Sequence, residues 1–90
     1  MQADAVLRNV KTIDKGAFYQ HKNLGSITLP KGLTGIDNIA FYKTKLKSIV
    51  IPKGVQVIGS YAFAETSLTS VQFSEGLITI DDKAFSECQI

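Results

Sequence analysis

Residues 51–63 read Ile-Pro-Lys-Gly-Val-Gln-Val-Ile-Gly-Ser-Tyr-Ala-Phe. An apolar run stops at Pro52-Lys53-Gly54, resumes through Val55 and Ile58, breaks again at Gly59 and closes on Ala62-Phe63. An amphipathic helix would repeat its apolar residues every 3.6 positions and a half-buried strand every second one. Neither needs two breaks and a terminal Ala-Phe. The rhythm suits one coil of a repeating structure, with each break a corner.

The rest of the chain carries the same rhythm. Displaced so that Leu24 falls on Leu46 and Leu46 on Leu68, the sequence matches itself. Ile36, Ile58 and Ile80 then coincide, as do Phe41, Phe63 and Phe85. Ile27, Ile49 and Val71 form another column, Leu29, Ile51 and Phe73 another, and Gly32, Gly54 and Gly76 a third. Ile13 and Phe18 join after a slightly longer shift, because Tyr19–Asn23 has one residue more than its counterparts. The expected organisation is one domain over 1–90, with a partial rung at 1–23, full rungs at 24–45, 46–67 and 68–89, and an incomplete one opening at Ile90. Periods of this size mark stacked repeat architectures.

Each column has a physical reading. "LGSITL", "LKSIVI" and "LTSVQF" are short strands with their branched side inward. Pro30 and Pro52 follow, and proline cannot donate to a strand ladder. The column of Gly32, Gly54 and Gly76, with Asn9 in the first unit, predicts a left-handed corner, because glycine and asparagine tolerate positive φ best. "LTGI", "VQVI" and "LITI" are second extended pieces. Ala-Phe then closes each coil as a single helical or 3₁₀ turn. Asp4 falls in the column of Ile27, Ile49 and Val71, so the first unit reads as a polar cap.

Bulk properties narrow the function. The charged fraction of 20% and hydrophobic fraction of 44% are those of a folded domain. A net charge of +2 gives no case for nucleic acid or an anionic membrane. No apolar run nears the roughly 20 residues of a membrane span. The start, MQADAVLRN, lacks a basic-then-apolar signal pattern. The single cysteine, Cys88, excludes an internal disulfide framework.

Leu46 to Phe63, "LKSIVIPKGVQVIGSYAF", resembles the BspA-type leucine-rich repeat, whose pattern is close to L-x-S-I-x-I-P-x-G-V-x-x-I-G-x-x-A-F. The resemblance runs from about residue 6 to the end of the chain. It departs from general leucine-rich repeats at the usual asparagine ladder, here Gly32, Gly54 and Gly76. It implies a mostly β solenoid, coiled right-handed, with about 22 residues per rung. It also implies a bacterial cell-surface or secreted setting and a role in binding host proteins or other cells.

No catalytic set stands out. His21 has no Cys, Asp or Glu at metal-ligand spacing and reads as a solvated loop histidine. Cys88 has no neighbouring base and reads as an inert thiol. Asp81 and Asp82 are adjacent in an extended segment, so their side chains point apart. The glycines follow the repeat and have no phosphate-loop context. Lys43, Lys45 and Lys47 alternate as a basic strip, with Lys22 and Lys31 nearby; a solvated edge is the simpler reading. The chain is therefore read as no enzyme, with no cofactor and no metal.

The flat strand face is the candidate binding surface, through Ser26, Thr28, Ser48, Val50, Ser70 and Gln72. Tyr19 and Tyr42 share a column and either stack as an aromatic patch or pack against the corner. The expected function is a non-catalytic interaction module with a protein or glycan partner. The alternative is a structural spacer or self-assembling repeat with no ligand of its own. Self-association through the last rung is expected, because its strand and the Ile80 and Phe85 column face water.

Overall fold

The computed structural model describes residues 3–6, 10–73, 76 and 78–88. Asn9, Leu77 and Ile90 lie outside the described residues, and with them the asparagine corner and the incomplete last rung. The fold is mostly β, built from parallel strands, with no helix among the described residues. The longer strands are β1 (Ala3–Val6), β3 (Leu24–Thr28), β5 (Ser48–Ile51) and β7 (Ser70–Phe73). Between them lie two-residue strands, β2 (Thr12–Ile13), β4 (Gly35–Ile36), β6 (Val57–Ile58) and β8 (Thr79–Ile80).

The short strands form one continuous parallel sheet in the order β2-β4-β6-β8. Thr12 stands opposite Gly35, Gly35 opposite Val57 and Val57 opposite Thr79. The first of these steps is one residue longer than the other two, which are equal. The longer strands pair as β1 with β3 and β5 with β7. Alternation sets the inward face: Ile49 and Ile51 are buried while Ser48 and Val50 are exposed. In β1 the register shifts between Ala3 and Asp4, so Asp4 faces Ser26 and Ala5 faces Ile27. The polar-cap reading of Asp4 is corrected by that irregularity, which absorbs one residue.

A third side is made of turns, not of the expected helical or 3₁₀ turn. Over residues 14–21, Ala17, Tyr19 and His21 donate their N–H groups to the carbonyls of Asp14, Gly16 and Phe18. The N–H groups between them go elsewhere: Gly16, Phe18 and Gln20 donate to Asn38, Ala40 and Tyr42 of the next repeat. The pattern recurs, with Ile39, Phe41 and Lys43 donating to Ser60, Ala62 and Ala64. A helix would keep all these donors within one repeat; here alternate ones tie repeats together. The geometry needs positive φ at the third residue of alternate turns. Gly16, Ile39, Tyr61 and Lys83 fill one such column at +67°, +51°, +58° and +61°. Gln20, Lys43, Glu65 and Glu87 fill the other.

The glycine corner is left-handed in part. Gly54 and Gly76 have φ of +104° and +132°, but Gly32 lies outside the positive region. In both Pro30–Leu33 and Pro52–Val55 the fourth N–H returns to the proline carbonyl. The third residue of such a turn takes positive φ in type II and negative φ in type I, so one column accommodates both.

The core is a set of ladders running across the repeats. Phe18, Phe41, Phe63 and Phe85 stack with centroids 5.2, 5.1 and 5.3 Å apart and planes within 6° of parallel. Ile13, Ile36 and Ile58 are buried beside them, as are Leu24, Leu46 and Leu68. Burying one such side chain stabilises by roughly 1.5–3 kcal/mol.

Candidate functional site

Alternation along the strands places six of the sequence-derived candidates on one outward face. Ser48 stands opposite Ser70, and Val50 opposite Gln72, across the β5–β7 ladder. All four are exposed, as are Ser26 and Thr28 at the corresponding places on β3. Val50 is 54% exposed, more than any other large exposed hydrophobic residue among those described.

The face is divided. β3 and β5 belong to separate sheets and are not hydrogen-bonded neighbours. A crevice of about 230 Å³ lies between them, lined by Ser26, Ile27, Thr28 and Leu29 on one side and Ser48, Ile49, Val50 and Pro52 on the other. Val50 and Pro52 also border a second depression of about 460 Å³, completed by Lys31 and Lys53. Val50 is thus an apolar ridge between a crevice bordered by Ser26, Thr28 and Ser48 among apolar residues and a hollow bordered by Lys31 and Lys53. Such an arrangement can take an apolar anchor and hydrogen-bond an extended backbone, with an anionic group over the lysines.

Sequence reasoning did not place Lys31 and Lys53 at this face. The signal was available in the twice-repeated Pro-Lys-Gly, which puts a lysine in the same column on consecutive repeats.

Tyr19 and Tyr42 come from the turn side instead. Their rings stack at 5.5 Å and 19°, and Tyr61 lies 6.0 Å from Tyr42 at a steeper tilt. The Tyr42 hydroxyl donates to Glu65 Oε2 at 2.9 Å. That hydrogen bond to a carboxylate raises the Tyr42 pKa above its ordinary value, with slight burial and the Glu65 charge adding to it. Lys43 Nζ sits 5.4 Å from the Tyr42 ring centre, within cation–π range. The Gln20 amide donates to the Tyr19 hydroxyl at 3.3 Å.

His21 packs its ring edge-on to Phe18 at 5.7 Å. The Cys88 thiol donates to the Phe63 carbonyl at 3.0 Å and lies 3.3 Å from the Thr66 hydroxyl. Thr44, Thr66 and Cys88 occupy one column, and the first two are buried. Among the described residues, no three His, Cys, Asp or Glu side chains gather where they could hold a metal ion.

Stacked parallel strands carrying these recurring columns define a leucine-rich repeat protein. The family model described as the BspA type leucine-rich repeat region (6 copies) matches residues 5–90, and the chain belongs to that family. Searches of curated proteins and of solved structures returned no significant match. Repeats of this family are typically non-catalytic, mediate protein interactions and occur in bacterial surface proteins. No helix among the described residues is long and apolar enough to cross a membrane.

Proposed function

We propose that the chain is a non-catalytic interaction module of a bacterial cell-surface or secreted protein, binding an extended protein segment through its strand face. In this reading residues 1–90 form one right-handed solenoid with rungs of about 22 residues. The unbroken β2-β4-β6-β8 ladder and the four-ring phenylalanine stack support that reading. Ser26, Thr28, Ser48, Val50, Ser70 and Gln72 make the contact surface. Tyr19 and Tyr42 are a separate patch on the turn side, available to the same partner only if it wraps round the coil.

The observation that carries the reading is the position of Val50. An outward valine, 54% exposed, rises between two hollows on an otherwise polar face. Interfaces draw most of their affinity from a few buried anchors surrounded by near-neutral polar contacts. Lys31 and Lys53 favour a partner with acidic residues beside that anchor, or a sulfated glycan.

The test is a binding screen over immobilised matrix proteins and sulfated and unsulfated glycans. A bound partner should lose at least about tenfold in affinity with Val50→Asp, the expected size for an anchor residue. It should be indifferent to Val57→Asp, an exposed valine on the short-strand side. No binding at high micromolar concentration, or equal losses for the two variants, would remove the strand face as the site and leave the spacer reading.

A further inference from the structure

We propose that Tyr19 and Tyr42 are an oxidative cross-linking site: hydrogen peroxide, acting through a one-electron oxidant, joins their rings as dityrosine and staples adjacent repeats together on the turn side. The inference is independent of the strand face and of its partner.

Every tyrosine of the chain belongs to one cluster. The sequence holds three, Tyr19, Tyr42 and Tyr61, and no tryptophan. Tyr42 lies 5.5 Å from Tyr19 and 6.0 Å from Tyr61, centroid to centroid. Tyr19 and Tyr61 are 43% and 37% exposed and Tyr42 is half-buried, so an oxidant in solution reaches the cluster.

The backbone holds the first pair in place. On one side of Tyr19 the Phe18 N–H donates to the Ala40 carbonyl, and on the other the Gln20 N–H donates to the Tyr42 carbonyl, both at 2.8 Å. Beneath them the Phe18 and Phe41 rings stack at 5.2 Å and 4°. The two tyrosines therefore leave adjacent repeats side by side, and their rings lie 19° from parallel. Tyr61 meets Tyr42 at 57° and turns an edge toward it, which makes Tyr19 the better-placed partner. Exposed side chains change rotamer in picoseconds to nanoseconds, which closes the distance left between the rings. Holding two reactants together in this way replaces a bimolecular encounter.

Glu65 supplies the route for a proton. The Tyr42 hydroxyl donates to Glu65 Oε2 at 2.9 Å. Removing an electron from a phenol makes its hydroxyl strongly acidic, so a positioned carboxylate that accepts the proton in the same step lowers the barrier. The Lys43 ammonium, 5.4 Å from the Tyr42 ring centre, opposes a cationic ring. Proton transfer to Glu65 leaves the oxidised ring neutral beside it.

The atoms and electrons balance. Each ring gives up one electron and its phenolic proton, from Tyr42 to Glu65 and from Tyr19 to water. The two phenoxyl radicals pair, and one C–C bond forms between ring carbons next to the hydroxyls. The two C–H protons at that bond then leave and the two oxygens regain protons. The two electrons and two protons removed overall reduce one hydrogen peroxide to two waters, and the chain ends two hydrogen atoms lighter.

The test treats the full 90-residue chain at low micromolar concentration with hydrogen peroxide and a haem peroxidase, then with a thiol reductant to open any disulfide through Cys88. A monomer two hydrogen atoms lighter should form, with the blue fluorescence of dityrosine. Trypsin should release residues 16–22 joined to residues 32–43. The urea midpoint of the linked chain should rise, as a covalent link restricts the unfolded state. Tyr19→Phe keeps the stacked ring and should lose the product, with an unchanged circular dichroism spectrum; Tyr61→Phe should keep it. Glu65→Gln should slow the reaction about tenfold, less than an enclosed general base contributes, because water competes at an exposed site. Cross-linked dimers in place of the monomeric product overturn the proposal. So does a link to Tyr61, or a product undiminished in Tyr19→Phe. An unchanged rate in Glu65→Gln overturns the assignment of Glu65 as proton acceptor.

Discussion

Phe41 and Phe63 lie ring on ring, centroids 5.1 Å apart and planes 6° from parallel, and neither exposes any surface. Phe85 stacks on Phe63 at 5.3 Å but is partly open on its other side. Large-to-small changes at fully buried aromatics cost roughly 3–5 kcal/mol. Phe63→Ala should therefore unfold a domain whose whole stability is of order 5–15 kcal/mol, or come close to it. Phe85→Ala should lose clearly less in urea denaturation. Equal losses would contradict a stack that is open at Phe85.

Gly59 is required by proximity, not by its own dihedral angle. A Cβ at this position would lie 2.6 Å from the Asn38 nitrogen and 2.8 Å from the Asp37 carbonyl carbon, both backbone atoms. The Asn38 side chain holds the spot by accepting the Ser60 N–H at 2.9 Å. Gly59→Ala should destabilise by about 1–3 kcal/mol, as overpacking does. Gly35→Ala is the control: its Cβ would meet Thr12 Cγ2 at 3.7 Å, an ordinary contact. Thermal melts that rank the two variants the other way would refute the close approach.

Lys83 has φ of +61° and an exposed side chain. The left-handed conformation costs an L-residue roughly 1–2 kcal/mol, and glycine avoids it at an entropic cost of about 0.5–1 kcal/mol. Lys83→Gly should stabilise the fold, by on the order of 0.5–1 kcal/mol. Asp82→Gly, one residue away and without positive φ, should do the reverse. The paired midpoints in urea check both signs.

Tyr42 should titrate above its ordinary range, because its proton is held by the Glu65 carboxylate. With the folded-state pKa raised, the contact's contribution is fully present below the unfolded phenol's pKa. It is lost as pH rises through the folded value. Glu65→Gln removes the charge and should bring the Tyr42 titration down, read by ultraviolet difference spectra against a Tyr42→Phe reference. No change on Glu65→Gln would mean that the hydrogen bond does not persist in solution.

The register of the repeats after the first was legible because stacking demands the same residue in the same place: Ile36 must meet Ile58, and Phe41 must meet Phe63; the shift between Ala3 and Asp4 in β1 was not. The outward candidates on β5 and β7 followed from simple alternation. The turn side was not legible. Its left-handed positions carry Ile39, Tyr61, Gln20, Lys43 and Glu65, none of which announces positive φ; only Gly16 in that column gave a local signal. For a β-branched residue such as Ile39 the conformation is an outlier, tolerated because its N–H reaches the Ser60 carbonyl at 3.0 Å. Lateral bonding overrode local preference, and one sequence read residue by residue does not display it. The gap between β3 and β5 was hidden for a related reason, since their sequences differ little from those of β5 and β7, which do pair.

The forward-pointing amides also give the fold an order of assembly. Gly16, Phe18 and Gln20 find their acceptors only in residues 38–42, so one repeat is completed by the arrival of the next. A chain emerging from the ribosome, where earlier segments fold first, closes like a zipper whose newest teeth are always open. Each added repeat finishes its predecessor and presents the same unfinished edge again.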